Sequence, residues 1–276
     1  ALKPAPIQMT WLGFPGTTGA NYIDYILTDE IVTPEEHQPF YAEKPIWLQG
    51  CYLAGDPTML DIPEPTPRKT LGLAEDAVVL ASLNSPFKLT PDLMDTWLAI
   101  LAADDRCQLW LRAGAASMQA NLRARAEAAA INPDRIVFAG HVDTKADHMA
   151  RLQAADIALD PFIYNGHTTS LDCLMAGLAV VTKPGGHFAS RVTLSQLTQV
   201  GLAEELAVDT VEAYRAKVLE LAAAPARAKA LGAKARQALQ AGALCLNADF
   251  ARQLETAYEA AWAAFKDGKS PRPIAL

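Results

Sequence analysis

The chain has 276 residues, of which 51% are hydrophobic, and a formal net charge of −7 at pH 7. Its pI of about 5.3 argues against a nucleic-acid-binding protein, because such proteins carry basic surfaces. The length and hydrophobic content suffice for a full core and one or two domains. No apolar run reaches the roughly 18 residues that span a bilayer, and residues 1–6 lack the apolar core of a signal peptide.

The four cysteines, Cys51, Cys107, Cys173 and Cys245, are widely spaced and form no C-x-x-C pair. A structural zinc site is therefore not expected, and the sequence also lacks an H-x-x-x-H motif and a cluster of acidic metal ligands. Free thiols, buried for structural reasons, are the simplest interpretation and indicate a reducing compartment. We expect a cytoplasmic protein that has no metal cofactor and does not contact a membrane.

The first part of the chain has the pattern of strands joined by loops. Residues 7–12 are a short apolar strand candidate that leads into a glycine-rich loop, 13–19, and residues 25–29 are a second strand. Residues 33–40 carry the proline and acidic residues of a short helix start, and residues 46–53 look extended. The glycine-rich loop lacks both G-x-G-x-x-G spacing and a P-loop Gly-Lys-Ser/Thr, so by itself it does not establish a nucleotide site.

A proline-rich segment divides the chain. Residues 56–67 contain four prolines and little periodicity, which is typical of a stiff, extended linker. We therefore predict one domain at 1–62, a linker at 63–70 and a second domain at 71–276.

Regular alternation follows the linker. Strands are predicted at 77–83, 107–112, 135–139, 157–159 and 178–182, with a short one at 207–208. Helices are predicted at 90–103, 115–130, 145–154, 169–176 and 190–200, and residues 210–264 form a helical tail with a break near Gly242. The first helix should be capped by Thr90, with Pro91 at its first position. This pattern predicts an α/β fold in which helices cover both faces of a parallel sheet, and ligands of such sheets bind at the carboxyl ends of the strands.

The run at 165–177, N-G-H-T-T-S-L-D-C-L-M-A-G, is the most informative one. A strand, a small-residue turn and a helix N-terminus bind anions, because free N–H groups and the positive end of the helix dipole face the ligand. Asp172, three residues after Thr169, is placed in the first helical turn. Asp172, together with His167 at the start of the turn, favours a phosphorylated sugar over bare phosphate as the ligand. A capping turn, with Thr168 or Thr169 as N-cap and Asp172 completing a capping box, fits the same residues, and both interpretations can hold.

Three more loops follow predicted strands and should lie on the same sheet edge. Lys88, just past a strand end, can neutralise a phosphate, with a solvated surface lysine as the alternative. Lys145 and His148 lie on one helical face, where an imidazole can stack on a base while the lysine reaches ribose or phosphate; a solvated helix start is the alternative. The Gly-Gly pair within 184–191 lets backbone approach a ligand or simply makes a strand–helix turn.

Five blocks stand out in chain order: W-L-G-F-P-G-T-T-G-A-N-Y-I-D-Y-I-L-T-D, the F-K of N-S-P-F-K, K-A-D-H, N-G-H-T-T-S-L-D and P-G-G-H-F-A-S-R-V-T-L-S-Q-L. Together they resemble the catalytic region of the O-linked N-acetylglucosamine (O-GlcNAc) transferases, with matching order and spacing from about residue 7 to near 264. The resemblance implies a GT-B fold of two Rossmann-like domains with the donor in the cleft. Residues 71–276 would be the nearly complete UDP-sugar-binding domain with its terminal helices, and residues 1–62 the C-terminal part of the N-terminal domain. Human-type enzymes have a large insertion between the two catalytic halves. Here the proline-rich linker takes that place, which is similar to the compact bacterial homologues.

The resemblance also implies the reaction. N-acetylglucosamine (GlcNAc) would pass from UDP-GlcNAc to Ser/Thr hydroxyls of proteins with inversion, without metal or other cofactor, and with release of UDP. Two alternatives stay open: a glycosyltransferase that uses another UDP-sugar or a non-protein acceptor, and a non-catalytic module that binds a UDP-sugar. In the family, an upstream catalytic half and a tetratricopeptide region come before the part that this chain matches. We therefore expect the chain to supply mainly the donor site and to be inactive without an upstream segment or partner chain.

The phosphate side of the implied site involves one basic residue and the 165–177 run. Lys88 would contact the diphosphate and stabilise the leaving UDP, which makes it the implied catalytic residue. Thr168 and Thr169 would meet phosphate at the helix N-terminus, with His167 beside the diphosphate and sugar. Asp172 would hold the ribose hydroxyls.

The nucleoside side follows from the block around K-A-D-H. Lys145 would reach the nucleoside, His148 would stack near uracil, and backbone around Asp143 would read the uracil edge. Ser85 stands at a donor-site position where the family often has Gln. Tyr164 stands where the family has a small Cys near the N-acetyl pocket, and so bears on the choice of donor sugar. The implied sugar pocket is lined by Leu12, Gly13 and Pro15.

Overall fold

Two parallel β-sheets make up the protein, and the computed structural model describes residues 2–276 of it. The first sheet contains β1 (Met9–Thr10), β2 (Tyr25–Thr28), β3 (Lys44–Trp47) and a C-terminal strand, Ile274–Ala275, in that spatial order. β2 is buried along its whole length, as expected for a strand inside a parallel sheet.

The second sheet has five parallel strands in the order β6-β5-β4-β7-β8. Their bounds are Val78–Ser82 for β4, Cys107–Arg112 for β5, Ile136–Ala139 for β6, Ile157–Leu159 for β7 and Ala179–Val181 for β8. β4, β7 and β8 consist entirely of buried residues. Helices on both faces explain this burial, because a parallel sheet exposes neither face to water.

Nine α-helices connect and cover the strands within residues 2–276. They are α1 (Pro91–Ala103), α2 (Ala116–Ala128), α3 (Lys145–Leu152), α4 (Thr168–Met175), α5 (Val192–Gln199), α6 (Ala203–Leu206), α7 (Val211–Ala223), α8 (Pro225–Gln240) and α9 (Ala248–Lys266). The predicted cap of α1 is confirmed, since the Thr90 hydroxyl accepts from the Leu93 N–H and Pro91 is the first helical residue. None of these helices is both long enough and apolar enough to cross a bilayer.

Several predicted elements differ in detail from the structure. The helix predicted in 33–40 is a 3-10 helix, Glu35–Phe40, which contains a proline. The short strand predicted at 207–208 is a single bridge between Ala207 and Thr182. The helical tail breaks twice, because Pro225 starts a new helix after Ala224 in addition to the break near Gly242. The four cysteines are free and buried, as predicted.

The end of the chain returns to the first sheet. The C-terminal strand pairs with β3, and in α9 the ring of Phe250 lies 5.9 Å from that of Trp11. Gln253 in the same helix accepts a hydrogen bond from the Gln49 N–H at 2.7 Å. The prediction placed all of 71–276 in the second domain. The structure instead puts the C-terminal strand in the first sheet, whereas the boundary at 63–70 stays a prediction.

Candidate active site

The winding of the second sheet reverses between β4 and β7. From β4 the chain moves outward through β5 to β6, and it then returns to β7 and continues to β8 on the other side. Open parallel sheets bind ligands at the carboxyl ends of the strands, in the crevice at such a switch point. The loops that follow β4 and β7 are therefore the expected walls of a ligand site.

Lys88 joins these two loops. Its Nζ atom donates to the carbonyl oxygen of Asn165 (2.6 Å) and to Oδ1 of Asn84 (3.1 Å). It also lies 4.2 Å from the ring centroid of Tyr164. The sequence placed Lys88 on this edge but missed Asn84 and Asn165 as its anchors, because their role depends on two strands becoming neighbours.

Partial burial changes the protonation of Lys88. Burial lowers the pKa of its ammonium group to about 8, and the nearby carboxylate of Asp160 opposes that shift. At pH 7 roughly nine-tenths of the groups are charged. Lys88 is therefore a cation under ordinary conditions, but one that loses its proton within an accessible pH range.

The buried carboxylate of Asp160 holds the turn before α4 in place through hydrogen bonds. It is 1% exposed and accepts hydrogen bonds from the Gly166 N–H (2.6 Å), the Ser170 hydroxyl (3.1 Å) and the Thr182 hydroxyl (2.6 Å). Burial raises its pKa, while these donors favour the ionised form and lower it. Asp160 was not among the predicted site residues. The sequence does contain a signal for this role, because Asp160 directly follows a buried apolar strand, and a carboxylate in that position needs several hydrogen-bond donors.

Gly166 is required by the shape of the same turn. A Cβ atom built there would lie 2.7 Å from the Ser170 nitrogen and would overlap the Ser170 hydroxyl. Glycine therefore allows the chain to turn tightly enough for Ser170 to reach Asp160.

The start of α4 differs from the predicted capping box. His167 is the N-cap, with φ 50° and ψ −112° and no side-chain cap hydrogen bond, and Thr168 and Thr169 are the first two helical residues. Asp172 lies beyond the first turn. The capping-box prediction is wrong, because both threonines lie inside the helix and Asp172 lies too far along it to complete a box. Asp160 fixes the turn before the helix through the Gly166 N–H. The hydroxyls of the two threonines are therefore not used to cap the helix.

His167 is held as a neutral imidazole. Its Nε2 atom lies 3.1 Å from the carbonyl oxygen of Ala189, and a carbonyl only accepts, so Nε2 carries the proton. Burial, and to a smaller extent the charge of Lys88, lower the pKa of His167 to about 4. Nδ1 is then a hydrogen-bond acceptor near neutral pH, which suits a sugar hydroxyl better than a phosphate oxygen.

The helices that follow β6 and β7, α3 and α4, meet at Asp172. Its Oδ2 atom contacts Lys145 Nζ at 2.5 Å and His148 Nε2 at 3.4 Å. Arg151 donates to Nδ1 of His148 at 3.1 Å, so the proton of the neutral imidazole is on Nε2 and faces Asp172. The structure thus brings together Lys145 and His148, which the resemblance assigned to the nucleoside, and Asp172, which it assigned to the ribose. It adds Arg151, which orients His148.

Two other predicted residues lie at the rim of this edge. Asp143 is exposed, with Oδ1 3.6 Å from His141 Nε2. The Ser85 hydroxyl accepts from Arg112 at 3.4 Å. Each side chain is therefore engaged with another side chain, and neither is a hydrogen-bond partner of the Lys88 ammonium or of Asp172 within residues 2–276. The Ser85 carbonyl oxygen accepts from the backbone N–H of Lys88 at 3.0 Å.

Of the three residues predicted for the sugar pocket, Pro15 lines a cavity of about 390 Å³. Its walls come from both parts of the chain: Phe14, Pro15, Gly16, Thr17, His37, Phe40, Tyr41, Gly186, His187 and Phe188. Leu12 and Gly13 precede this wall, and Leu12 is half-exposed with a left-handed φ of 69°. The last of these lining residues, Phe188, is followed in the chain by Ala189, whose carbonyl oxygen binds His167.

Helix α5 ties this loop edge to the first sheet. Just before α5, Arg191 donates to the Ile31 carbonyl at 2.7 Å, and within it the Ser195 hydroxyl donates to buried Asp29 at 2.9 Å. The next residue, Gln196, donates to the carbonyl oxygen of His167 at 3.0 Å. One helix therefore fixes the first sheet relative to the turn before α4. No group of three or more His, Cys, Asp or Glu side chains placed to hold a metal ion occurs in residues 2–276.

Comparison with known proteins gives matches over nearly the whole chain. The family described as Glycosyl transferase family 41 matches residues 1–64 and 61–254. The probable UDP-N-acetylglucosamine–peptide N-acetylglucosaminyltransferase SEC of Arabidopsis thaliana is 35% identical over 277 residues, which is 99% of this chain and 28% of that protein. A SPINDLY protein of Petunia hybrida, whose name carries the same activity, is 30% identical over 98% of this chain and 29% of its own length. The chain thus spans less than a third of these relatives.

Solved structures agree with the predicted fold. A mutant O-GlcNAc transferase of Thermobaculum terrenum superposes with a TM-score of 0.81 at 29% identity, covering 94% of this chain and 49% of that one. A sucrose-phosphate synthase of Thermosynechococcus elongatus superposes with a TM-score of 0.62 at 19% identity, covering 88% of this chain and 59% of that one, and supports the fold alone. The predicted GT-B fold is confirmed.

Proposed function

The chain belongs to glycosyl transferase family 41, and we propose that it provides the donor site for transfer of N-acetylglucosamine from UDP-GlcNAc to Ser/Thr hydroxyls of proteins. One observation carries the proposal. At the switch point, Lys88 from the loop after β4 binds the Asn165 carbonyl in the turn that leads into α4. A cation and a helix N-terminus therefore converge where a diphosphate would lie.

The leaving group determines what the site must do. An acceptor oxygen forms a bond to the anomeric carbon while the bond from that carbon to the diphosphate oxygen breaks on the opposite face, which inverts the configuration. The electron pair goes to UDP, and the acceptor proton goes to a base. Lys88 and the N-terminus of α4 neutralise the charge that develops on UDP, which is the task that fixed donors perform best in a partly dry site. We propose that they do so without a metal ion.

The nucleoside end is held by Asp172. Lys145 and His148 both contact its Oδ2 atom, which leaves Oδ1 to accept a ribose hydroxyl. His148 can then present its ring to the base, with Arg151 fixing its orientation. The hydroxyls of Thr168 and Thr169 and the Nδ1 atom of neutral His167 complete the site toward phosphate and sugar.

The acceptor side is proposed to come from outside this chain. The curated relatives extend well beyond the matched stretch, and an upstream catalytic part with a tetratricopeptide region, in the same or a partner chain, would supply the base and the protein-binding surface. A cytoplasmic location is part of the proposal and is supported by the four buried free thiols.

UDP affinity should decrease at alkaline pH. The charged form of Lys88 binds the diphosphate, and burial lowers the pKa of that group to about 8. Below pH 8 the group is already protonated and affinity is constant. Above pH 8 binding must take up a proton, so the Kd for UDP rises with pH and levels off at about tenfold, the loss expected when the charged hydrogen bond of Lys88 is removed. Calorimetry from pH 7 to 9.5 measures this, and the Lys88→Met protein should show a flat profile. A flat profile in the unsubstituted protein would contradict the role of Lys88.

Titration calorimetry with UDP, UDP-GlcNAc and UDP-glucose tests the donor directly. We expect UDP to bind and UDP-GlcNAc to bind more tightly than UDP-glucose. Failure to bind any uridine nucleotide would overturn the site assignment. Preference for UDP-glucose would favour the second candidate, a transferase of another UDP-sugar, which Tyr164 motivates because a large ring stands close to Lys88.

A further inference from the structure

Lys88 is enclosed on three sides. An ammonium group has three N–H donors, and two of them are used by the Asn165 carbonyl and by Asn84 Oδ1. The ring of Tyr164 lies 4.2 Å from Nζ, within the range of a cation–π contact. The ring face of Tyr164 therefore lies against an ammonium group that has one N–H donor left for a further partner.

Aromatic contacts hold the Tyr164 ring in place. It packs edge-on against Phe87, with centroids 5.9 Å apart, and tilted against His167, with centroids 4.9 Å apart. Phe87 is 74% exposed, and Tyr164 is itself only partly buried. A ring held by such contacts at a surface can rotate away without breaking the core, because exposed side chains change rotamer readily.

The diphosphate and the Tyr164 ring need the same face of Lys88. Both oxygen contacts of Lys88 belong to the protein frame, since Asn84 follows β4 and Asn165 follows β7. A phosphate oxygen that accepts from Lys88 must therefore use the remaining donor. A charge-assisted hydrogen bond is stronger than a cation–π contact at a half-exposed site, so the ligand displaces the ring.

We propose that Tyr164 is a cover over Lys88, so that the ring occupies the diphosphate-facing side of the ammonium in the unliganded protein and swings away when a nucleoside diphosphate binds. The inference rests on the proposed donor site. It makes Tyr164 a positioning residue, because its ring acts through Lys88.

Removing the cover should strengthen UDP binding. The Tyr164→Leu change is expected to lower the Kd for UDP by about threefold to tenfold, the range that loss of a competing cation–π contact gives. Uridine, which carries no phosphate, should bind with unchanged affinity. The Tyr164→Phe protein keeps the ring and should match the unsubstituted protein within about twofold. In a Lys88→Met background, Tyr164→Leu should have no effect on UDP.

Titration calorimetry of these proteins with UDP and uridine decides the question, with thermal unfolding confirming that each is folded. A second variant without the ring, Tyr164→Ala, controls for any effect of the leucine side chain itself and should change UDP affinity in the same direction. Tighter UDP binding with unchanged uridine binding supports the cover. Unchanged or weaker UDP binding in both ring-less variants, with UDP bound by the unsubstituted protein, overturns the cover alone. Absence of UDP binding by the unsubstituted protein overturns the proposed function and the cover with it.

Discussion

Replacing Lys88 with alanine should lower kcat of the complete transferase, this chain together with the upstream catalytic part, by about 10²- to 10³-fold. The Kd for UDP should rise by only about tenfold, because one charge-assisted hydrogen bond is lost from a site with several contacts. The asymmetry follows from chemistry. Negative charge on the diphosphate grows as the glycosidic bond breaks, so Lys88 stabilises the transition state more than the bound donor. Steady-state kinetics combined with calorimetry measures both effects.

Lys183 is a matched control for this experiment. It follows β8 on the same edge of the sheet, and its Nζ atom also lies over an aromatic ring, 5.1 Å from the centroid of Phe162. Lys183→Ala should leave kcat within about twofold, because a lysine away from the switch point meets no developing charge. If Lys88→Ala and Lys183→Ala reduce kcat equally, the loss comes from removing a positive charge in general and contradicts a specific role of Lys88. If Lys88→Ala weakens UDP binding and the unsubstituted transferase shows no turnover to lose, the non-catalytic binding module becomes the better interpretation.

Much of the framework was predictable from local sequence patterns. The strand Cys107–Arg112 and the strand Ile157–Leu159 were predicted with the observed bounds, because apolar runs this short, with turn residues on either side, are too short for typical helices. Alternation of strands and helices implied parallel strands, and parallel strands place all the following loops on one edge. The position of Lys88 on that edge could therefore be predicted from the parallel arrangement alone, without knowing the order of the strands.

Features that depend on partners distant in sequence were not predictable in this way. The C-terminal strand has two residues, too few for any periodicity, and it forms only because β3 offers an edge. The capping box was a sound local interpretation of Thr169 and Asp172, yet the helix begins at Thr168 with His167 as its N-cap, so Asp172 lies beyond the first turn. The turn before the helix is held by buried Asp160 through the Gly166 N–H. The contact between Tyr164 and Lys88 likewise needs β4 and β7 to be neighbours.

Substitution of Gly166 by alanine should affect stability and binding together. The added Cβ atom meets the Ser170 nitrogen and hydroxyl, which are backbone or are fixed by Asp160, so the turn must move. Overpacking of this kind costs about 2–3 kcal/mol, which lowers Tm by roughly 5–10 °C for a chain of this size. UDP affinity should fall by about tenfold or more, because the carbonyl that positions Lys88 belongs to the preceding residue, Asn165.

Gly140 is the matched control for Gly166, since it lies in the loop after β6 on the same edge and a Cβ atom there meets nothing within 4 Å. Gly140→Ala should change stability by no more than about 0.5 kcal/mol and leave UDP affinity unchanged. Differential scanning calorimetry and UDP titration of both variants give the comparison. Equal Tm values for the two variants would show that the turn can accept a side chain. A lower Tm with normal UDP affinity for Gly166→Ala would instead separate the stability of the turn from the placement of Lys88, and would mean that Asn165 does not position the lysine for the diphosphate.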